Sequence, residues 1–156
     1  MSEHHAEIRW KRTTPDFEYK TYDRTHQVKF GGGIQIDASS APEFRGKAAL
    51  VNPEEQFVAS LSSCHMLTFL ALAALKHWVV ESYEDEAVGH LEKGPTGKHW
   101  MARVVLRPRA VFQEGAGPSP EELRQLHQSS HEECFIARSV TTDVQIEFGM
   151  RMVSRG

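Results

Sequence analysis

The distribution of apolar and polar residues divides the chain into short strand-like segments around two helices. Residues 7–37 hold runs of roughly alternating pattern, two of which flank Gly31-Gly32-Gly33 as the strands of a hairpin would. Further strand candidates lie at 78–93 and 99–112, where Pro108 suggests an edge or a bulge. Near the end, Val144, Ile146 and Phe148 alternate with polar residues. This order predicts an α+β fold with a mainly antiparallel sheet.

The first helix is predicted to begin at Pro53 in "NPEEQFVASLSSCHMLTFLALAAL" and to end near Lys76-His77. Asn52 is the N-cap, Pro53 occupies the first helical position, and Glu55 completes a capping box. Beyond Phe57 the residues are apolar or small around the whole circumference, so we expect a helix packed on all sides. Its serines, histidine and threonine make it too polar for a membrane span, and no membrane partner is expected.

The second helix is predicted over residues 119–135, with Ser119 as the cap, Pro120 at the first position and Glu122 completing the box. The polar stretch "LHQSSHEEC" within it is typical of a solvated helix face. An alternative is a metal site, because His127, His131 and Cys134 follow one another at i, i+4 and i+7, which is acceptable spacing for zinc.

The size and charge of the chain limit the classes of function. At 156 residues it predicts a single domain, 1–156, near the lower end for a self-sufficient enzyme, so an oligomer is plausible. A formal charge of −3 gives no basic field for nucleic acid or anionic lipid. No signal-peptide pattern opens the sequence, which predicts a cytoplasmic protein. Two cysteines, distant in sequence, are then more typical of reactive thiols than of a structural bridge.

Cys64 lies in the middle of the first predicted helix, about 16 Å from its start. The helix dipole is too distant to favour the thiolate there, and burial among apolar residues opposes it. A reactive Cys64 therefore needs a cation from elsewhere in the fold; without one it is an inert core thiol. Arg24 and Arg45 are the candidates, although a solvated strand charge is the simpler interpretation of Arg24.

An inward arginine also requires a carboxylate partner, and Glu54 is the spare one because Glu55 serves the cap. Glu54 and Cys64 are ten residues apart on one helix. A single arginine can touch both only if the helix breaks near residues 60–63 or if the groups come from different subunits. His65 is not a base for Cys64, since neighbours on a helix project about 100° apart.

The segments "NPEEQFVASLSSCHM" and "HEECFIARSVTTDVQIE" resemble the OsmC/Ohr family of thiol-dependent hydroperoxide reductases, over about residues 23–148. The resemblance implies an intertwined homodimer with mainly antiparallel sheets around a long buried central helix. It implies that Cys64 is the peroxidatic cysteine and Cys134 the resolving one. It also implies that Glu54 pairs with the catalytic arginine, which we assign to Arg24, with Arg45 as the alternative. The sequence departs from the family after Cys134, where Phe-Ile-Ala-Arg stands in place of a more usual Cys-Pro and serine.

The function that this resemblance implies is reduction of an organic hydroperoxide by Cys64, closure of a Cys64–Cys134 disulfide, and recycling by a lipoyl-like dithiol without a bound cofactor. An apolar pocket around Leu61, Met66, Leu67 and Phe69 would favour organic over hydrogen peroxide. The alternatives are the metal-binding protein and a diverged, non-catalytic family member that binds a small apolar ligand.

Overall fold

The computed structural model describes residues 1–154, which form nine strands and three α-helices. The strands are β1 (Ala6–Arg9), β2 (His26–Phe30), β3 (Gln35–Ala38), β4 (Val80–Asp85), β5 (Val88–Lys93), β6 (His99–Leu106), β7 (Pro108–Gln113), β8 (Asp143–Ile146) and β9 (Gly149–Val153). The helices are α1 (Pro53–Leu75), α2 (Pro120–Glu133) and α3 (Phe135–Arg138), with a short 3-10 helix at Pro42–Phe44. The predicted α+β class is confirmed.

Contacts between residues divide the chain into two units, Met1–Gln56 and a second that begins at Phe57. The first unit contains the antiparallel sheet β1-β2-β3. The hairpin predicted around the glycine triplet is confirmed: Gly33 adopts a φ of 92°, and its N–H donates to the carbonyl of Phe30 at 2.9 Å. Glycine takes this left-handed conformation without the cost that a side chain adds. The single domain predicted over 1–156 stays a prediction.

The second unit contains two further sheets, in the orders β4-β7-β9 and β5-β6-β8. β4 pairs with β7 and β5 with β6 in antiparallel fashion, whereas β8 and β9 join β6 and β7 in parallel. The single strands predicted over 78–93 and over 99–112 are each divided in two, and the final alternating segment also forms two strands. The sheets are therefore mainly antiparallel, as predicted, but their strands are shorter than the sequence pattern indicates.

Pro108 is the first residue of β7, the central strand of its sheet, so the edge or bulge predicted at this proline is wrong. The N–H of Arg107 leaves the sheet ladder and donates to Asp85 Oδ1 at 2.6 Å. Proline lacks an N–H, and the first position of a strand is where that loss is tolerated. The chain therefore passes from one sheet to the other after Asp85, at the end of β4, and again before Pro108, at the start of β7.

The predicted start of α1 is confirmed in detail. Asn52 Oδ1 accepts the N–H of Glu55 at 2.8 Å, and Glu55 Oε2 accepts the N–H of Asn52 at 3.0 Å, which is a capping box. At the other end His77 adopts a φ of 59°, and the N–H of Trp78 donates to the carbonyl of Ala73 at 3.0 Å. This is a Schellman-type ending in which a histidine takes the position that glycine usually fills.

The packing of α1 differs from the prediction, because within this chain the helix is buried along one face only. Leu61, His65, Phe69 and Ala73 are its buried residues. On another face Ala59, Ser63, Leu67 and Ala71, also spaced by four, are exposed, and Leu67 retains 62% of its accessible surface. By length and composition α1 could cross a membrane, a test that core helices of soluble proteins also pass. The prediction that α1 is buried on all sides is therefore wrong for a single chain.

The predicted capping box of α2 is also confirmed, with Ser119 and Glu122 exchanging both hydrogen bonds. The prediction of a solvated face over "LHQSSHEEC" is wrong. Leu126, His127, Ser130 and Cys134 are all buried, and His127 is only 1% exposed. This face of α2 contributes Leu123 and Leu126 to a core cluster with Phe69, Ala73, Ala110 and Phe112.

Candidate redox site

The two cysteines, 70 positions apart in sequence, meet in the second unit. Cys64 lies in the middle of α1 and is half-buried, while Cys134 lies between α2 and α3 and is 1% exposed. Both are free thiols, and the Cys64 side chain lies close enough to Cys134 to affect its titration. Burial first, and then the neighbouring Cys64 thiol, raise the pKa of Cys134 to about 11. Cys134 is therefore a neutral thiol at physiological pH.

The local fold explains how Cys134 reaches this position. α2 ends at Glu133, Cys134 adopts an extended conformation with φ −67° and ψ 113°, and the chain turns at once into the four-residue helix α3. The N–H of Ala137 donates to Cys134 Sγ at 3.5 Å, which fixes the orientation of the thiol. The unusual Phe-Ile-Ala-Arg segment after Cys134 thus forms a single helical turn that holds the cysteine toward α1.

Arg24, the predicted activating residue, lies in the first unit, two residues before β2 begins rather than within a strand. Its guanidinium donates to the carbonyls of Tyr22 at 3.0 Å and Tyr19 at 2.8 Å, and it stacks 3.9 Å from the Tyr22 ring centroid. Glu54 Oε2 is buried and accepts no hydrogen bond. Among residues 1–154 neither Arg24 nor Glu54 forms an ion pair, so the structure does not join them as the sequence predicted.

Arg45, the other candidate, is exposed and lies at the end of the 3-10 helix with a φ of 65°. Its guanidinium carbon is 5.7 Å from the centroid of the Tyr19 ring, and that of Arg24 is 5.4 Å from the same centroid. The two candidate arginines therefore share one aromatic side chain. These contacts do not distinguish the two arginines as candidates for the activating cation.

A buried pair of histidines, which the sequence did not indicate, connects α1 to α2. His65 Nε2 is 3.0 Å from His127 Nδ1, and each residue is 1% exposed. Burial lowers the pKa of His65 to about 4 and that of His127 to about 3. The His127 ring stacks between Phe69 and Phe148, with centroids 4.7 and 4.6 Å away. The burial of His65 could have been predicted from its spacing, because it lies four residues after Leu61 and four before Phe69.

The alternative metal site at His127, His131 and Cys134 is not formed. Within the described range, 1–154, no group of three or more His, Cys, Asp or Glu side chains is placed to hold a metal ion. The physical reason is that α2 directs His127 into the core, where its Nδ1 faces His65 and its ring is covered on both sides.

The apolar pocket predicted around Leu61, Met66, Leu67 and Phe69 stays a prediction, and two of its residues lie in different core clusters. Leu61 packs with Val104 and Leu106 in one core cluster, whereas Phe69 belongs to another. A cavity of about 650 Å³ lies in the first unit, with aromatic residues and Arg24 among its lining.

Known proteins with a similar sequence or structure identify the family of this chain. The family described as OsmC-like protein matches residues 46–149. An OsmC-like protein of unknown function from Vibrio cholerae is 46% identical, with a TM-score of 0.91 over 96% of this chain and 100% of that one. The organic hydroperoxide resistance protein OsmC of Legionella pneumophila is 16% identical, with a TM-score of 0.68 over 97% and 98%. No protein with a curated description matches.

A third similar structure is the organic hydroperoxide resistance protein OhrB of Bacillus subtilis, 16% identical with a TM-score of 0.63 over 96% of this chain and 98% of that one. The family match covers most of the chain, and the Vibrio protein is similar along nearly all of it. The chain is a member of the OsmC/Ohr family, and the family assignment made from the two cysteine segments is confirmed.

Proposed function

We propose that this protein is a thiol peroxidase that reduces organic hydroperoxides through Cys64 and Cys134. The Cys64 thiolate attacks the outer oxygen of the peroxide, the O–O bond breaks, and Cys64 becomes a sulfenic acid while the alcohol leaves with a proton. The Cys134 thiol then attacks the sulfenic sulfur, forming a disulfide and releasing water. A lipoyl-like dithiol reduces the disulfide by exchange and is itself oxidised.

The observation that carries this proposal is the proximity of the Cys64 and Cys134 side chains, which is close enough for the two thiols to affect each other's titration. A disulfide requires the two residues to be close enough to bond without large backbone movement, and this proximity supports the pairing. The difference in burial supports the proposed order of events. Cys64 is the more accessible sulfur and meets the peroxide, while Cys134 is shielded and protonated until a sulfenic acid forms beside it.

The names of the similar structures support the choice of substrate class. The Legionella and Bacillus proteins are described as organic hydroperoxide resistance proteins, at 16% identity each. In the proposal Arg24 is the cation that favours the Cys64 thiolate, and Glu54 is the carboxylate that balances its charge. Within residues 1–154 neither side chain forms an ion pair: Arg24 donates to two carbonyls, and one Glu54 oxygen is buried without a hydrogen bond.

We also propose that the working form is a homodimer in the cytoplasm, where cellular dithiols remain reduced. The exposed apolar face of α1 and the unpartnered Glu54 oxygen support a second copy, since such groups are usually covered or paired. Sedimentation at micromolar concentration measures the mass. A particle of one chain would contradict this part of the proposal.

The function is tested by turnover of cumene hydroperoxide with dihydrolipoamide, comparing the wild type with Cys64→Ser and Cys134→Ser. We expect turnover in the wild type and none in Cys64→Ser, because a hydroxyl does not replace a thiolate nucleophile. Cys134→Ser should react once with peroxide and recycle slowly, because it offers no disulfide to the dithiol. Unfolding curves confirm that each variant is folded. Equal turnover in all three proteins would contradict the proposal, and no turnover in any would favour a ligand-binding family member.

A further inference from the structure

A hydrogen bond between two buried histidines of the second unit joins α1 to α2. His65 Nε2 lies 3.0 Å from His127 Nδ1, and both side chains are buried. Within residues 1–154 the other side chains of α2 make their hydrogen bonds inside that helix or at its cap. The histidine pair is therefore the polar connection between the two helices in the described part of the chain.

A core cluster of apolar side chains also joins the two helices. Phe69 and Ala73 of α1 share this cluster with Leu123 and Leu126 of α2. Apolar contacts favour close packing but have no preferred direction, so they allow a helix to rotate or slide by small amounts. A hydrogen bond, in contrast, weakens steeply when its length or angle changes. The histidine pair therefore determines the register of α2 on α1.

Each histidine of the pair depends on the other for its hydrogen bond. His65 Nδ1 and His127 Nε2 are buried and have no partner among residues 1–154. Phe69 and Phe148 stack on the His127 ring. Burial lowers the pKa of both imidazoles, so both are neutral at physiological pH, and one donates while the other accepts. A shift of α2 along α1 would leave two further buried nitrogens without a partner, which is unfavourable.

Each histidine also lies near one of the two cysteines along the chain. His65 directly follows Cys64 on α1. His127 precedes Cys134, the residue that follows α2, by seven positions, which is about two helical turns. The N–H of Ala137 then donates to Cys134 Sγ at 3.5 Å and orients the thiol. A rotation or shift of α2 that moves Cys134 away from Cys64 therefore also stretches or breaks the histidine hydrogen bond.

We propose that the hydrogen bond between His65 and His127 holds α2 in the register that keeps Cys134 beside Cys64, which makes both histidines positioning residues for disulfide closure. This rests on the proposed function, in which the Cys134 thiol attacks the sulfenic sulfur of Cys64. In that step the S–S bond forms, the S–O bond breaks, and water leaves with the proton of Cys134. The rate of closure depends on how closely the two sulfurs are held to bonding geometry. The histidines touch no reacting atom.

Three variants separate positioning from stability. The double change His65→Leu and His127→Phe removes both partners and leaves no buried nitrogen of the pair unsatisfied. The double change His65→Gln and His127→Asn is the rescue, because each amide can place a donor or acceptor near the imidazole nitrogen that it replaces. His131→Leu is the matched control on α2, since it removes an imidazole whose Nδ1 has no hydrogen-bond partner among residues 1–154.

The kinetic test measures how the Cys64 sulfenic acid is divided between two fates. Reduced proteins are mixed with cumene hydroperoxide and dimedone, which traps the sulfenic acid in competition with Cys134, and mass spectrometry gives the ratio of disulfide to adduct. We expect this ratio to fall by roughly 10–10²-fold in the Leu and Phe double variant, the effect of a displacement of about 1 Å. The rescue variant should recover most of the ratio, and His131→Leu should keep it.

A role in stability alone would not change this ratio selectively. Loss of the Cys64 thiol to peroxide should proceed at nearly the wild-type rate in all variants, and urea unfolding confirms that each is folded. If the Leu and Phe double variant divides the sulfenic acid as the wild type does, the inference is overturned while Cys64-dependent turnover stands.

A second measurement needs no peroxide and so separates the inference from the proposed function. The same proteins are equilibrated with mixtures of reduced and oxidised glutathione, and the fraction of Cys64–Cys134 disulfide gives the effective concentration of one thiol toward the other. We expect an effective concentration about tenfold lower in the Leu and Phe double variant than in the wild type or His131→Leu. Equal values in the wild type and this double variant overturn the inference. The tenfold decrease without oxidation of Cys64 by peroxide in any protein supports the positioning role and refutes the peroxidase.

Discussion

Arg24→Met is expected to slow the reaction of Cys64 with cumene hydroperoxide by roughly 10²–10³-fold, the cost of removing one fixed donor from a site where charge develops. The structure holds the Arg24 guanidinium in one orientation, through two carbonyls and the face of Tyr22. Methionine keeps much of the apolar stem and removes the charge. Arg24→Lys should recover only part of the rate, because an ammonium cannot reproduce a planar group that is stacked and bonded at once.

The rate is measured by mixing reduced protein with excess peroxide and following the loss of the Cys64 thiol. Arg12→Met is the matched control, because Arg12 also lies in the first unit and donates to two backbone carbonyls, those of Thr14 and Pro15, both at 2.6 Å. A loss of rate caused by loop disorder should appear in both variants. If Arg24→Met reacts at the wild-type rate and Arg45→Met reacts slowly, Arg45 activates the Cys64 thiol and Arg24 does not. If neither variant is slow, no arginine of this pair activates the thiol.

Acidification from pH 6.5 to about pH 5 is expected to lower the free energy of unfolding by about 3 kcal/mol through His65 and His127. Both pKa values are lower in the folded protein, at about 4 and about 3, because burial disfavours the imidazolium form. For His65 a nearby His131 acts in the same direction, while Asp85 opposes it. The unfolded chain therefore binds two more protons than the folded chain in this interval.

The sign follows from the depressed pKa of each base. Above about pH 7 both histidines are neutral in the folded and unfolded states and contribute no pH dependence. Below 6.5 the unfolded chain is favoured by about 1.4 kcal/mol per pH unit for each histidine. The free energy of unfolding continues to fall until the pH reaches the pKa values of the folded protein, about 4 for His65 and about 3 for His127. Most carboxylates titrate below this interval, so its upper part reports on the histidines, and about 3 kcal/mol is a large share of a typical stability of about 5–15 kcal/mol.

Urea unfolding at several pH values measures this effect. The informative variant is the double change His65→Leu and His127→Phe, which removes both partners together and leaves neither buried nitrogen unpaired. We expect a much flatter pH dependence between 6.5 and 5 and little loss of stability at neutral pH. His4→Gln is the control, because His4 is exposed and near the start of the chain. An unchanged slope in the double variant would show that the pair is not held neutral.

Those parts of the fold that depend on local chemistry could be predicted from the sequence. Asn52, Pro53 and Glu55 determine where α1 begins, and Ser119 and Glu122 do the same for α2, because a capping box is satisfied by residues three positions apart. The same holds for the turn at Gly33. Strand breaks were missed, because Arg107 leaves its strand for a bond to Asp85, a partner 22 residues away that no local pattern reveals.

The candidate site could be predicted only in part, for a similar reason. Family resemblance supplied the two cysteines, but their proximity depends on how α2 packs against α1, which is a tertiary property. His127 shows the limit most clearly. Its neighbours in sequence are polar, and its burial is decided by Phe69 and Phe148, which come from distant parts of the chain. The exposed face of α1 was not predicted, because an apolar sequence indicates that a helix is buried but does not show what buries it.

The most direct test of the account is the intact mass of the reduced wild-type protein after one equivalent of cumene hydroperoxide, followed by proteolysis without reductant. The account predicts a loss of two hydrogen atoms per chain and a single cross-linked pair of peptides that joins Cys64 to Cys134. Addition of dihydrolipoamide should restore both thiols. If the mass is unchanged and both cysteines remain free, or if Cys64 gains oxygen without ever forming the cross-link, the proposed thiol pair is contradicted.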